Sequence, residues 1–191
     1  MRTLRAAMEL FAEYGVGATS YQMIADAIGV TKGAVYHQFN TKDEIIIAVA
    51  EMELATLEDA LEAAEALDCR IEARELLLNL VIDHAVEHRR AANTLQFDPV
   101  IVRLLSDHEP FQRFVERLYG MLVGDEPGPD TQVRLAALTC VIGGTVSHPL
   151  VAGLDDDTLR TQLLEMARRI VGLPDTVSPR RTDRKSKRAS A

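Results

Sequence analysis

Apolar residues recur along this chain at helical intervals, and glycines or capping residues interrupt them. Leu4, Ala7, Met8 and Phe11 stand at i, i+3, i+4 and i+7, which predicts a first helix from about Thr3 to Tyr14. Gly15 and Gly17 end it. Thr19 and Gln22 have the spacing of a capping box at the start of a second helix over about 20–28. Gly29 turns the chain, and Thr31 is placed to cap a third helix that ends near Phe39. Thr41-Lys42-Asp43-Glu44 is a further capping box and opens a long helix reaching about Ala66. After a break at Asp68-Cys69, Ile71, Leu77, Leu78, Val81, Ile82, Ala85 and Val86 predict a helix over about 70–90. A short segment at 99–106, a helix over 109–123 and a small-residue apolar helix over 131–148 with Gly143-Gly144 follow. The last helix covers 155–171, with Asp155-Asp156-Asp157 at its positive end and Arg168-Arg169 in its final turn. The expected fold is all-α with about nine helices.

Within that series the segment from Ile24 to Phe39 carries the most information. Ile24, Ala25, Ile28, Val30, Val35 and Phe39 supply an apolar face on which two short helices pack across the Gly29 turn. The other face of the second short helix holds Lys32, Gly33, Ala34, Tyr36 and His37. Two helices held at a fixed angle can set the second in the major groove of DNA. Thr31, at the helix start, offers a hydroxyl and backbone N–H to a phosphate, and Lys42 opens the next helix in a similar position. An ordinary turn between core helices would share the glycine and the cap. It would not need the polar face flanked by two capping boxes.

Composition agrees with a helical, aliphatic core: 47% of the residues are apolar, 5% are aromatic and there is no Trp. The net charge of −8 argues against a nucleic-acid partner until its distribution is considered. Residues 180–191 carry a local +5, and residues 1–44 hold four basic against five acidic groups, a nearly neutral module. Such a module binds weakly alone, so two copies are expected to act together. The tail at 175–191 reads as disordered and basic, either a solvated end or a non-specific attractor of phosphate. The stretch 124–130 reads as a linker.

Cys69 and Cys140 lie 71 positions apart and suit a reducing compartment. No apolar stretch suits a signal segment or a membrane span, so a cytoplasmic protein associated with the bacterial nucleoid is expected.

Enzymatic signatures are sparse. The chain has no Gly-x-Ser-x-Gly elbow, P-loop or dinucleotide fingerprint. His84-Ala85-Val86-Glu87-His88 matches an inverted zinc-peptidase motif, which would need a downstream Glu as third ligand. The two histidines could instead serve a metal sensor, or simply flank the ridge of Val81, Ile82 and Ala85 as polar groups. No catalytic residue, metal or cofactor is assigned.

Residues 3–47 resemble the DNA-binding domain of the tetracycline-repressor (TetR) family. The resemblance lies in Ala6-Ala7, Leu10 to Gly15, Thr19, Ile24-Ala25, Gly29 to Phe39 and Asn40 to Ile45. Only Arg2 precedes Leu4, where many members carry a basic arm. The family implies a helix-turn-helix domain over 1–47, with the motif at about 20–39, and a helical ligand-binding and dimerisation domain over 48–174. It places Thr19, Ser20, Thr31, Tyr36, His37 and Lys42 against phosphate, and Lys32, Gly33, Ala34 and His37 toward bases. It also implies a pocket among the middle helices, for which His84, His88, Asn93, Phe97, Phe111, Phe114 and Tyr119 are the candidates. The helices over 131–148 and 155–171 resemble the family's dimer-forming pair, through Val141, Gly144, His148, Leu159, Leu163, Met166 and Ile170. The implied function is a homodimeric repressor on a pseudo-palindromic duplex operator, released by a small-molecule effector. An activator, a ligand-blind repressor and a metal sensor using His84 and His88 are the alternatives.

Overall fold

Local capping chemistry sets half of the helix starts. Ser20, Thr31, Thr41, Asp98 and Asp155 each accept a backbone N–H from the turn that follows, and Gly29 and Gly172 adopt left-handed conformations at helix ends. A computed structural model describes residues 1–124 and 128–174. Among them are ten helices: α1 (Arg2–Ala18), α2 (Tyr21–Ile28), α3 (Lys32–Gln38), α4 (Lys42–Glu65), α5 (Arg70–Glu87), α6 (Arg89–Phe97), α7 (Pro99–Ser106), α8 (Glu109–Leu122), α9 (Pro129–Val146) and α10 (Asp156–Val171). The described residues contain no strand, and none of their helices is long and apolar enough to cross a membrane. The expected basic tail at 175–191 and part of the expected linker lie outside the described residues.

One helix more than expected is present. The helix expected over 70–90 stops at Glu87, because His88 takes a non-helical conformation (φ −116°, ψ 43°) and α6 starts afresh at Arg89. Arg89 stabilises the joint by donating to the Val86 carbonyl (3.3 Å) and pairing with Asp156 of α10. Within α1, Gly15 breaks the helix at φ 78°, ψ 157°, at the position expected for its end. The capping arrangement at α2 differs from expectation as well. Ser20, not Thr19, accepts from the Met23 N–H (3.2 Å).

Two clusters of buried side chains organise the chain. The first joins Phe11 of α1, Ile24 and Ala25 of α2, Val35 of α3 and Ile45, Ile46 and Val49 of α4, and it takes in Ala91, Ile101 and Leu105 from α6 and α7. The second runs through α4, α5, α8, α9 and α10, from Leu57 and Leu61 to Leu159, Leu163 and Val171. Helix α4 contributes to both, so it mechanically joins the N-terminal helices to the rest. Ion pairs clamp α5 to α10 between Asp83 and Arg160 and between Glu75 and the buried Arg168, which also donates to the Pro174 carbonyl (2.6 Å).

Candidate nucleic-acid interface and internal cavity

Helix α3 has one buried residue, Val35, which anchors it on α1 and α2. Thr31, Lys32, Gly33, Ala34, Tyr36 and His37 are all exposed on its remaining faces. Thr31 caps the helix through the Ala34 N–H (3.2 Å). Gly29 (φ 71°) and the bond from the Val30 N–H to the Ala25 carbonyl (3.0 Å) hold the turn between α2 and α3. Val30 itself is exposed and does not join the packing face, contrary to expectation.

The ring of Tyr36 stacks on Tyr21, with centroids 4.1 Å apart and planes 4° from parallel. The Lys32 ammonium lies 5.5 Å from the centroid of the Tyr36 ring. Tyr21, Tyr36 and Lys32 thus form a column that fixes how α3 presents its outer face. The Tyr21 hydroxyl is buried without a partner, and its pKa is raised, chiefly by burial and then by Tyr36, Glu44 and Asp43. Sequence reasoning missed Tyr21, since its contact lies 15 positions away and no local pattern encodes it.

The residues expected at phosphate separate into two groups. Ser20 is exposed, while Lys42 is half-buried and donates weakly to the Gly17 carbonyl (3.4 Å). Thr19 must be corrected. It is 2% exposed, and its hydroxyl donates inward to the Gly15 and Leu10 carbonyls (2.9 and 3.2 Å). Those bonds close the break in α1 and leave no side chain for phosphate. Arg2 and Thr3 also have intramolecular partners, the Ile28 carbonyl (3.1 Å) and the Gln38 side chain (2.8 Å).

A cavity of about 140 Å³ lies in the body, lined from α4, α5, α6, α8 and α9. Of the expected pocket residues, His84, Phe111, Phe114 and Tyr119 line it. Asn93 and Phe97 do not: α6 turns Ala92, Leu95 and Gln96 to the cavity, so Asn93 and Phe97 fall on its exposed side. His88 is also excluded, because the chain break there directs it to an open cleft of about 680 Å³ between α1, α4 and the α5–α6 joint. His84 lines both spaces, and its ring stacks on that of His88 with centroids 4.5 Å apart. Burial, and then the neighbouring His88, pushes the His84 pKa down from 6.5 to about 4, so the ring is neutral at ordinary pH. Among the described residues no group of three or more His, Cys, Asp or Glu could hold a metal ion.

Inside the cavity the Tyr119 hydroxyl and the Thr139 Oγ1 satisfy each other at 2.8 Å. Gln96 Oε1 and His84 Nδ1 are buried with no partner. Sequence reasoning missed Gln96, because the break before α6 was needed to aim it inward.

The expected dimer pair also needs correction. Leu159 and Leu163 are 1% and 0% exposed, packed inside the chain's own core with Ala167 and Val171. Met166 is 40% exposed on the neighbouring stripe, with Ile170, Val141 and Gly144 half-buried and His148 exposed. Val133, near the start of α9, and Leu150, beyond its end, are exposed apolar residues as well.

Residues 4–49 match the family model described as bacterial regulatory proteins, tetR family. Over 90 residues the chain is 34% identical to the HTH-type transcriptional regulator AcrR of Shigella flexneri, covering 46% of this chain and 42% of that one. Over 115 residues it is 32% identical to the HTH-type transcriptional repressor KstR2 of Mycolicibacterium smegmatis, covering 59% and 54%. The chain thus spans about half the length of these two relatives. Among solved structures, FadR from Bacillus subtilis in complex with stearoyl-CoA shares the fold at a TM-score of 0.66 and 21% identity, covering 87% of this chain and 96% of that one.

Proposed function

As a member of the tetR family of bacterial regulatory proteins, this chain acts, we propose, as a homodimeric transcriptional repressor whose hold on DNA is relieved by a small molecule. The observation that carries this reading is α3. It buries Val35 alone and leaves Thr31, Lys32, Gly33, Ala34, Tyr36 and His37 open to a groove. Thr31, Tyr36, Ser20 and Lys42 then contact phosphate, and the first turn of α3 approaches the bases. The protein works in the cytoplasm on the nucleoid. Its N-terminal module is residues 1–47 and its effector and dimer body is residues 48–174, with α4 between them.

Two copies pair through α9 and α10, using Val141, Gly144, Met166 and Ile170. Their two α3 helices then reach successive major grooves of a pseudo-palindrome, about 34–36 Å apart. An effector in the cavity favours a different spacing of those helices, and a coupling of about 1–3 kcal/mol gives 5- to 150-fold relief. Relatives named as regulator and repressor support this reading, as does a fold neighbour that binds stearoyl-CoA.

Gel-shift titration of Tyr36→Ala and Lys42→Ala tests the contact assignment. Both weaken operator binding while helix content and particle mass stay unchanged, and log affinity falls with log salt. Unaltered affinity in both variants, or a flat salt slope, contradicts the reading.

A further inference from the structure

Resting on the effector-controlled reading, we propose that the effector is an uncharged, largely apolar molecule about the size of one ring, recognised by hydrogen bonds to Gln96 and His84.

Size comes first. The cavity holds about 140 Å³, close to the roughly 150 Å³ apolar cavity known to take benzene. A long acyl chain does not fit this volume.

Charge comes next. No Lys, Arg, Asp or Glu lines the cavity, and His84 stays neutral there. A carboxylate or phosphate placed inside would lose its water with no counter-charge to replace it. An acyl-CoA, with its long chain and anionic nucleotide end, therefore meets neither condition, whatever the fold shares with a stearoyl-CoA-binding neighbour.

Polarity selects within the remaining class. Buried polar groups in proteins are overwhelmingly hydrogen-bonded, so each exception asks for a reason. Here the exceptions Gln96 Oε1 and His84 Nδ1 belong to two residues of one apolar cavity, while the nearby Tyr119–Thr139 pair is complete. Gln96 Oε1 lies against Gly143, outside the cavity lining, so a turn of the amide into the cavity brings it to a ligand hydroxyl or N–H. The neutral His84 ring can donate or accept at Nδ1, according to its tautomer. Gly143 leaves room for Gln96 Oε1 beside α9, since a Cβ there would stand 1.6 Å from that oxygen.

Calorimetric titration of the full-length protein with phenol, toluene and benzoate tests the proposal. Phenol and toluene have the same shape, and toluene leaves water more readily. Phenol nevertheless binds about tenfold tighter, because toluene leaves the buried groups unpaired. Benzoate binds at least about tenfold weaker than phenol. In Gln96→Met the advantage of phenol over toluene collapses while toluene still binds, which shows that the cavity has kept its shape. Absence of saturable phenol binding, equal affinity for phenol and toluene in the parent protein, or benzoate binding as tightly as phenol overturns the proposal. Operator binding is titrated separately. Its survival beside a lost phenol preference removes the ligand class alone, and its absence beside intact phenol binding removes the regulatory reading alone.

Discussion

Gly33 sits in the first turn of α3, and the protein itself gives no reason for a glycine there. Its backbone is not left-handed, and a Cβ would meet only Thr31 Oγ1 at an ordinary 3.8 Å. On the proposed reading, close approach of a base or phosphate supplies the reason. Gly33→Ala should therefore stabilise the fold by up to about 1 kcal/mol through helix propensity and yet weaken operator binding. Chemical denaturation and fluorescence anisotropy check the two arms, and an unweakened operator complex would place α3 too far from the bases. His84 gives a pH signature. Its native pKa lies near 4 against an ordinary 6.5, because burial and His88 disfavour the charged ring. The unfolded chain thus takes up a proton over this interval that the native chain refuses, so stability is full above 6.5 and declines as pH falls toward 4. Between pH 6.5 and about 5, above most carboxylate titration, the melting temperature should fall less steeply in His84→Leu than in the parent. Equal slopes would show that His84 is not buried in neutral form. Residues governed by their immediate neighbours were legible in the sequence: Thr31, Thr41, Asp155 and Gly29 all do what their local pattern indicates. Thr19 and Tyr21 were not, since a carbonyl nine residues back and a ring 15 residues ahead decide their orientation.

Helix α6 links the cavity to the N-terminal module. Ala92, Leu95 and Gln96 line the cavity, and the helix ends at Asp98, where one carboxylate serves two elements. Asp98 Oδ1 accepts from the Val100 N–H at the start of α7 (2.9 Å), and Oδ2 accepts from the Val16 N–H beside the break in α1 (3.1 Å). An effector that shifts α6 therefore pulls on the helix that packs under α2. Asp98→Ala should cost about 1 kcal/mol as a lost cap and reduce the ratio of operator affinities measured without and with phenol. An unchanged ratio would route the coupling elsewhere, through α4. This element was the one the sequence concealed. A polar stretch without Gly or Pro at its start reads as the tail of α5, and only the non-helical His88 separates the two. The periodicity of α10 was legible, but its facing was not. A wide apolar stripe does not reveal that Leu159 and Leu163 serve the chain's own core while Met166 on the next stripe remains open.

At the scale of the whole molecule, charge and symmetry carry the account. A chain of net charge −8 with a nearly neutral N-terminal module gains little from one encounter with DNA. Two linked modules convert the second contact into an intramolecular one. The surface left open by α9 and α10, with Val133, Val141, Met166 and Ile170, is where the proposed second copy would sit. The all-helical class and the position of α3 were readable from periodicity and capping, because both are local. Which apolar surface remains uncovered was not, because that depends on how every helix packs. Selection of bound duplexes from a random pool, followed by sequencing, decides whether a twofold pair of α3 helices reads DNA. Enrichment of an inverted repeat with half-sites about one helical turn apart is the predicted result, together with its loss for Tyr36→Ala. No enrichment, or a single asymmetric site of unaltered affinity in that variant, would contradict a twofold pair of α3 helices reading DNA.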